Sequence, residues 1–178
     1  MHSLTTEQLQ HLTEIAIAAA QEAGRYIEQF DRTHLQAVFK DAGSSEASQI
    51  VTEVDIRSEE IIRQKLQEAS STYNIAFVGE ESALGNSSEA SERFKKPYFW
   101  CVDPLDGTLA FAKGQSGYAV SIALVDQSGT PLIGVVVDPV DQTLIHAIKG
   151  HGAYQNLLPL GSPNRGNDSL TVYADASF

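Results

Sequence analysis

The spacing of apolar residues predicts two long helices in the first part of the chain. Between about Thr6 and Phe30, apolar residues recur at the spacing of an amphipathic helix. Thr5 and Gln8 have the pattern of a capping box at the start of this helix. A second helix is predicted from Ile56 to Ala69. Its apolar face carries Ile61, Ile62 and Leu66.

The remainder of the chain has the pattern of strands and turns. Polar loops are predicted at 41–45 and 82–93, and Gly129 and the segment from Gly150 to Gly152 supply turns. Helices followed by antiparallel strands favour an α+β fold in which two long helices pack on one face of a mainly antiparallel sheet. The predicted strands span 37–39, 74–79, 98–102, 119–125, 131–137, 143–148, 157–160 and 170–174.

Composition narrows the class of protein. The chain has 178 residues, of which 42% are apolar, so it is long enough for one domain with a core and the beginning of a second. The net charge of -11 argues against binding to a nucleic-acid polymer, since such proteins usually carry a basic face. A protein this acidic would need metal ions to handle phosphate esters.

The number of cysteines and the pattern of the first residues indicate the cellular compartment. Cys101 is the only cysteine, so no internal disulfide forms, and its position in an apolar strand predicts a small core residue. The first residues lack the pattern of a signal peptide, and the chain has no run of about 18 apolar residues that could span a membrane. We therefore expect a cytoplasmic protein without a membrane partner.

The most specific chemical signal is the segment Asp103-Pro104-Leu105-Asp106-Gly107-Thr108, which follows a predicted buried strand. Pro104 fixes a turn that can direct both carboxylates and the Leu105 carbonyl to one point, and oxygen ligands of this kind suit Mg²⁺. Gly107 and Thr108 would open a short helical turn whose backbone N–H groups can receive a phosphate.

A second segment, Asp138-Pro139-Val140-Asp141, has the same aspartates around a proline but lacks the Gly-Thr pair. We predict an ordinary strand-terminating turn there. The first segment therefore needs partners elsewhere in the chain, and Asp55 and the pair Glu80-Glu81 are the candidates. Taken singly, Asp55 is typical of a helix start and Glu80-Glu81 of a solvated turn.

Two other kinds of acidic site are excluded. A haloacid-dehalogenase-type phosphatase needs its aspartates two positions apart with the first as nucleophile, whereas Asp103 and Asp106 are three apart with a proline between them. An EF-hand needs alternating oxygen ligands and a distal glutamate, which the residues from Asp103 onward do not provide.

Three motifs in this order resemble the inositol monophosphatase superfamily of Mg²⁺-dependent, lithium-sensitive phosphatases, which includes the 3'(2'),5'-bisphosphate nucleotidases. The motifs are Val51-Thr52-Glu53-Val54-Asp55, Gly79-Glu80-Glu81-Ser82 and the segment from Asp103 to Thr108. The resemblance implies the N-terminal half of a layered α-β-α-β-α sandwich. Residues 1–168 would form a metal- and phosphate-binding domain, and 169–178 the first strand of a C-terminal α/β domain.

The resemblance also implies the metal ligands. Glu80, Asp103 and the Leu105 carbonyl would hold a first Mg²⁺, and Asp103 and Asp106 would share a second. The complete site of the family holds two or three ions, which activate water and stabilise the leaving oxygen.

The remaining roles follow from the same resemblance. Asp55 and Thr108 would orient or deprotonate the attacking water, and the N–H groups of Gly107 and Thr108 would bind the substrate phosphate. Glu80 would take part in catalysis as well as in metal binding. Glu81 would lie just behind the metal ligands, and Lys40 on a mobile loop over the site.

Two departures from the family pattern leave two hypotheses. Ala110 stands where the family usually has asparagine, and Trp100 is the only tryptophan, so the Trp-Asp pair of the C-terminal half is missing. The first hypothesis is a phosphomonoesterase acting on an inositol phosphate or on a nucleotide like 3'-phosphoadenosine 5'-phosphate. The alternative is a truncated, non-catalytic relative that keeps partial metal binding. A homodimer is the assembly that the resemblance implies.

Overall fold

The computed structural model describes residues 3–35, 37–39, 50–85 and 91–161. Helix α1 spans Thr6–Gln29 and begins with the predicted capping box, in which the Thr5 side chain accepts from the backbone N–H of Gln8. Helix α2 spans Glu53–Thr72. The predicted start at Ile56 was wrong, because a capping box between Thr52 and Asp55 begins the helix three residues earlier.

The strands of the described residues form two sheets. In the smaller sheet, β1 (Ala37–Phe39) pairs antiparallel with β2 (Ile50–Thr52). The larger sheet has seven strands in the order of the chain, with β3 and β4 parallel and every other pair antiparallel. This arrangement confirms the predicted α+β fold. The strands are β3 (Ile75–Gly79), β4 (Tyr98–Asp106), β5 (Ala119–Asp126), β6 (Pro131–Asp138), β7 (Thr143–Ile148), β8 (Gly152–Gln155) and β9 (Leu158–Pro159).

Short helices follow α1 and the two strands that carry the predicted site. A 3₁₀ helix spans Arg32–His34, α3 spans Glu80–Gly85 directly after β3, and α4 spans Thr108–Ala112 shortly after β4. The sequence predicted a loop from Ser82 onward, where α3 continues to Gly85. It also placed the end of the strand before Asp103, whereas β4 continues to Asp106 with an irregular register between Asp103 and Asp106.

Other boundaries differ near the end of the described chain. Strand β8 was not predicted, since the glycines from Gly150 to Gly152 indicated only a turn, and β9 is shorter than the predicted strand at 157–160. The predicted strand at 170–174 and the segment 169–178 lie outside the described residues. The division into two domains therefore stays a prediction.

The helices cover one face of the large sheet. Helix α1 packs on β5, β6 and β7, α2 packs on β3 and β4, and the two helices pack on each other. Trp100 is fully buried beneath α2, where its Nε1 donates to the Ser70 hydroxyl at 3.2 Å. No helix in the described ranges is long and apolar enough to cross a membrane.

The other face of the sheet is open in the described part of the chain. Val136 and Ile145 are about two-fifths exposed on it, at 38% and 41%. Cys101, which alternates with the buried Trp100 and Val102, is exposed on the same face. The prediction that Cys101 is a core residue was therefore wrong.

Candidate active site

Asp55 and Thr108 come from distant parts of the sequence and are in direct contact. Asp55 is 1% exposed, and its Oδ2 accepts the backbone N–H of Thr52 at 2.8 Å as part of the capping box. Its Oδ1 accepts from the Thr108 hydroxyl at 2.8 Å. Burial raises the pKa of Asp55, while the hydrogen bonds from Thr52 and Thr108 act in the opposite direction. The helix cap thus aims the free edge of a buried carboxyl group at Thr108.

Glu80 lies beside Asp103 because of the parallel pairing of β3 and β4. Gly79, the last residue of β3, is in register with Val102, so Glu80 and Asp103 follow at the same edge of the sheet. Burial first, and then the negative charges of Glu80 and Asp106, raise the pKa of Asp103 to about 8. The fold therefore brings together the three carboxylates that the sequence singled out.

The chain between these carboxylates folds tightly. Asp103 Oδ1 accepts the backbone N–H of Leu105 at 3.2 Å, and the Leu105 carbonyl lies 3.0 Å from the Thr108 hydroxyl. Because a hydroxyl has one hydrogen, Thr108 divides its donation between Leu105 and Asp55. The Leu105 carbonyl is therefore linked through Thr108 to the buried carboxyl of Asp55.

Gly107 connects β4 to α4 in a conformation that only glycine adopts readily. Its φ angle is +92°, and a Cβ atom placed on it would lie 2.6 Å from the Gly117 carbonyl oxygen. Helix α4 begins at the next residue, Thr108, which agrees with the predicted short helical turn. The phosphate-binding role of Gly107 and Thr108 stays a prediction.

The second Asp-Pro segment has the geometry of a simple turn. Asp138 Oδ1 accepts the backbone N–H groups of Val140 at 2.8 Å and Asp141 at 3.1 Å. Its carboxylate thus closes its own turn at the end of β6, as the sequence predicted.

Sequence reasoning missed Glu59. This side chain is 5% exposed and accepts the backbone N–H of Glu81 at 2.9 Å, next to the predicted ligand Glu80. The available signal was its position one helical turn after Asp55, on the same face of α2. Glu81 itself lies in the first turn of α3, and Lys40 lies outside the described residues.

The donor chemistry of the site fits Mg²⁺. The set consists of the Glu80, Asp103 and Asp106 carboxylates and the Leu105 carbonyl, all hard oxygen donors, and a divalent cation would relieve the repulsion among the carboxylates. Across residues 3–35, 37–39, 50–85 and 91–161, however, no group of three or more His, Cys, Asp or Glu side chains is placed so that it could hold a metal ion. The carboxylates are neighbours whose side chains would have to turn toward one ion.

Comparison with known proteins identifies the class. The sequence model of the inositol monophosphatase family matches residues 8–174, which is most of the chain. The chain therefore belongs to the inositol monophosphatase family, as the three motifs predicted.

The relatives of this chain carry two kinds of name. The chain is 33% identical over 160 residues to "Nus factor SuhB" of Pasteurella multocida, a match that covers 89% of this chain and 55% of that protein. It is 32% identical over 145 residues to "Inositol-1-monophosphatase" of Bacillus subtilis, covering 82% of this chain and 50% of that one. The chain thus spans about half the length of the curated relatives that it matches.

Solved structures support the same fold. The extragenic suppressor protein suhB of Bartonella henselae superposes with a TM-score of 0.71 at 29% identity, over 87% of this chain and 55% of that one. Inositol monophosphatase-II of Staphylococcus aureus superposes with a TM-score of 0.66 at 29% identity, over 88% of this chain and 52% of that one.

Proposed function

We propose that this protein is a Mg²⁺-dependent phosphomonoesterase in which residues 1–168 supply the metal- and phosphate-binding site. The observation that carries the proposal is the meeting of three motifs at one edge of the sheet. The Thr108 hydroxyl lies 2.8 Å from Asp55 Oδ1. Burial and the negative charges of Glu80 and Asp106 raise the pKa of Asp103. Membership in the inositol monophosphatase family supports the same reaction class.

In this proposal, Glu80, Asp103, Asp106 and the Leu105 carbonyl hold the metal. Bound Mg²⁺ would supply an activated water and would polarise the phosphoryl group. We propose two or three such ions in the complete site and inhibition by Li⁺, as is general for the family.

The buried pair Asp55 and Thr108 would handle the proton. Thr108 presents its hydroxyl at the start of α4 and is fixed there by its contact with Asp55. A hydroxyl held against a buried carboxyl can accept a hydrogen bond from water while passing its own hydrogen to Asp55. The pair would thereby orient the attacking water and take up its proton. Gly107 lets the chain turn before α4, and the backbone N–H groups of Gly107 and Thr108 would bind the substrate phosphate.

The proposed substrates are small phosphorylated alcohols or nucleotides. The structures of SaIMPase-II have been solved with 2'AMP and with inositol monophosphate bound, which shows that this relative accepts both kinds of ligand. We propose the same two classes here, together with a cytoplasmic location, no membrane or nucleic-acid partner, and a homodimer.

A second candidate is a non-catalytic relative that retains partial metal binding. These 178 residues cover 50% to 55% of the length of relatives that carry the phosphatase or SuhB names. If residues beyond the matched half supply a further metal ligand in those relatives, this chain would bind metal without efficient turnover.

Phosphate release separates the two candidates. The purified protein is assayed with inositol phosphates, sugar bisphosphates and 3'-phosphoadenosine 5'-phosphate, with and without Mg²⁺ and Li⁺. Turnover that requires Mg²⁺ and falls with Li⁺ supports the phosphatase. Mg²⁺ binding without release of phosphate from any of these substrates supports the non-catalytic relative.

A further inference from the structure

Glu59 is a buried carboxylate that the proposed reaction does not use. It is 5% exposed and lies in the second turn of α2. Its Oε2 accepts the backbone N–H of Glu81 at 2.9 Å and lies 3.4 Å from the N–H of Ser82. These two N–H groups belong to the first turn of α3, so Glu59 caps that helix from a different element of the fold.

Glu59 also packs directly on the residue before Glu80. A Cβ atom placed on Gly79 would lie 2.2 Å from Glu59 Oε2 and 2.6 Å from Oε1, which is closer than any real contact of this kind. The carboxylate therefore rests on the backbone of Gly79 and can do so only because Gly79 has no side chain. Glu59 contacts the residues on both sides of Glu80.

Arg63 secures this arrangement one turn further along α2. Its Nη2 lies 3.4 Å from Glu59 Oε1 and donates to the Ser82 hydroxyl at 2.8 Å. Its guanidinium also stacks over the Phe77 ring of β3, 4.1 Å from the ring centroid. The pair of Glu59 and Arg63 thus ties α2 to the end of β3 and to the start of α3.

We propose that Glu59 is a positioning residue that fixes Glu80 relative to Asp103. Helix α2 already aims Asp55 at Thr108 through its first turn. Because Glu59 lies in the second turn of the same rigid helix, α2 sets the positions of both Asp55 and Glu80. The contact between Glu59 and Gly79 sets the angle at which Glu80 leaves β3. The link to metal binding rests on the proposed function, in which Glu80 is a metal ligand.

Hydrogen exchange and Mg²⁺ titration of three variants test the proposal. Glu59→Ala removes both acceptors, Glu59→Gln keeps one oxygen that can still accept an N–H, and Glu60→Ala is the control. Glu60 is adjacent in sequence but exposed, and it pairs with Arg57 at 2.7 Å on the outer face of α2. Mass spectrometry follows amide exchange in the segment 79–85, and calorimetry measures Mg²⁺ affinity.

The expected results form a graded series. Glu59→Ala should speed exchange at 79–85 about fivefold, the change expected when a helix loses its capping group. It should weaken Mg²⁺ binding by about 10- to 100-fold, the usual effect of removing a group that orients a metal ligand. Glu59→Gln should fall between Glu59→Ala and the wild type, and Glu60→Ala should match the wild type.

Gly79→Ala provides an independent route to the same displacement. Its added methyl group should push the Glu59 carboxylate away and reproduce the changes seen in Glu59→Ala. Combining the two substitutions should add little, because both break one contact.

Three results would overturn the proposal. These are unchanged exchange at 79–85 in Glu59→Ala, exchange that rises equally along the whole chain, and additive effects of Glu59→Ala and Gly79→Ala. Failure of the wild type to bind Mg²⁺ would contradict the proposed function instead, and the exchange data would still decide whether Glu59 fixes the start of α3.

Discussion

Replacing Gly107 with alanine tests the close packing behind the predicted metal-binding segment. The added Cβ would lie 2.6 Å from the Gly117 carbonyl oxygen and 3.0 Å from the Tyr118 Cα, and both are main-chain atoms that cannot rotate away. Tyr118 is itself held in place, because Arg32 donates to its hydroxyl at 2.7 Å and it is only 2% exposed. The methyl group can therefore be accommodated only if the backbone shifts.

Two costs add at this position. A residue with a Cβ atom in the left-handed region loses about 1–2 kcal/mol, and forcing a methyl group into a packed site costs about 1–3 kcal/mol. We therefore expect Gly107→Ala to lower the free energy of unfolding by about 2–5 kcal/mol. Gly129 separates the two costs, because its φ of +89° is nearly the same as that of Gly107 while no described atom lies within 4 Å of an added Cβ. Gly129→Ala should lose only the backbone part, about 1–2 kcal/mol.

Urea denaturation of the wild type and both variants, followed by far-ultraviolet circular dichroism, measures the two losses. The difference between the variants should be about 1–3 kcal/mol, with Gly107→Ala the less stable. Equal losses would mean that no close approach exists at Gly107.

Two further predictions concern buried polar groups. Ser58 is fully buried, and its hydroxyl has no hydrogen-bond partner among the described residues. Ser58→Ala should leave the free energy of unfolding unchanged or raise it, whereas Ser70→Ala should lower it by about 1–3 kcal/mol because Trp100 Nε1 loses its acceptor. Urea denaturation checks the two serine variants. A clear loss of stability in Ser58→Ala would contradict the prediction for Ser58. His146 is buried against Tyr154, and burial lowers its pKa. The folded state therefore favours the neutral ring. Its contribution to the free energy of unfolding should be fully present above pH ~6.5 and should be lost as the pH falls through the folded pKa. The loss should be about 1.4 kcal/mol for each unit by which folding lowers the pKa of His146. Thermal unfolding between pH 8 and pH 5, about the range in which histidine titrates, should show a larger loss of stability, or a smaller gain, in the wild type than in His146→Leu. Equal slopes in the two would be evidence against it.

The parts of the fold that local patterns determine were predictable from the sequence. Helix α1 has both a regular apolar period and a capping box at Thr5, so its start was predicted correctly. The start of α2 was not, because Val51 and Val54 continue the pattern of a strand, and the competing signal was the box between Thr52 and Asp55. Cys101 was misplaced because an apolar run suggests burial on both faces, while the structure covers only the face of Trp100 in the described residues.

In the candidate site, too, the residues of contiguous motifs were predictable from the sequence, and a residue placed by tertiary packing was not. Asp103 and Asp106 were found because their motif is contiguous, and the partnership of Asp55 and Thr108 came from a resemblance to a known family rather than from spacing. Glu59 was missed, because a glutamate on a helix usually faces solvent. Its burial depends on where α3 begins relative to α2, and that is set by the tertiary packing of β3 and Gly79.

We propose that the segment from Asp103 to Thr108 holds Mg²⁺ while its counterpart at Asp138 only closes a turn. Calorimetric titration of Mg²⁺ into the wild type, Asp103→Asn and Asp138→Asn tests this claim directly, because both substitutions remove one negative charge from an Asp-Pro segment. We expect the wild type and Asp138→Asn to bind Mg²⁺ equally and Asp103→Asn to lose binding. Equal effects of the two substitutions, or no binding by the wild type, would contradict it.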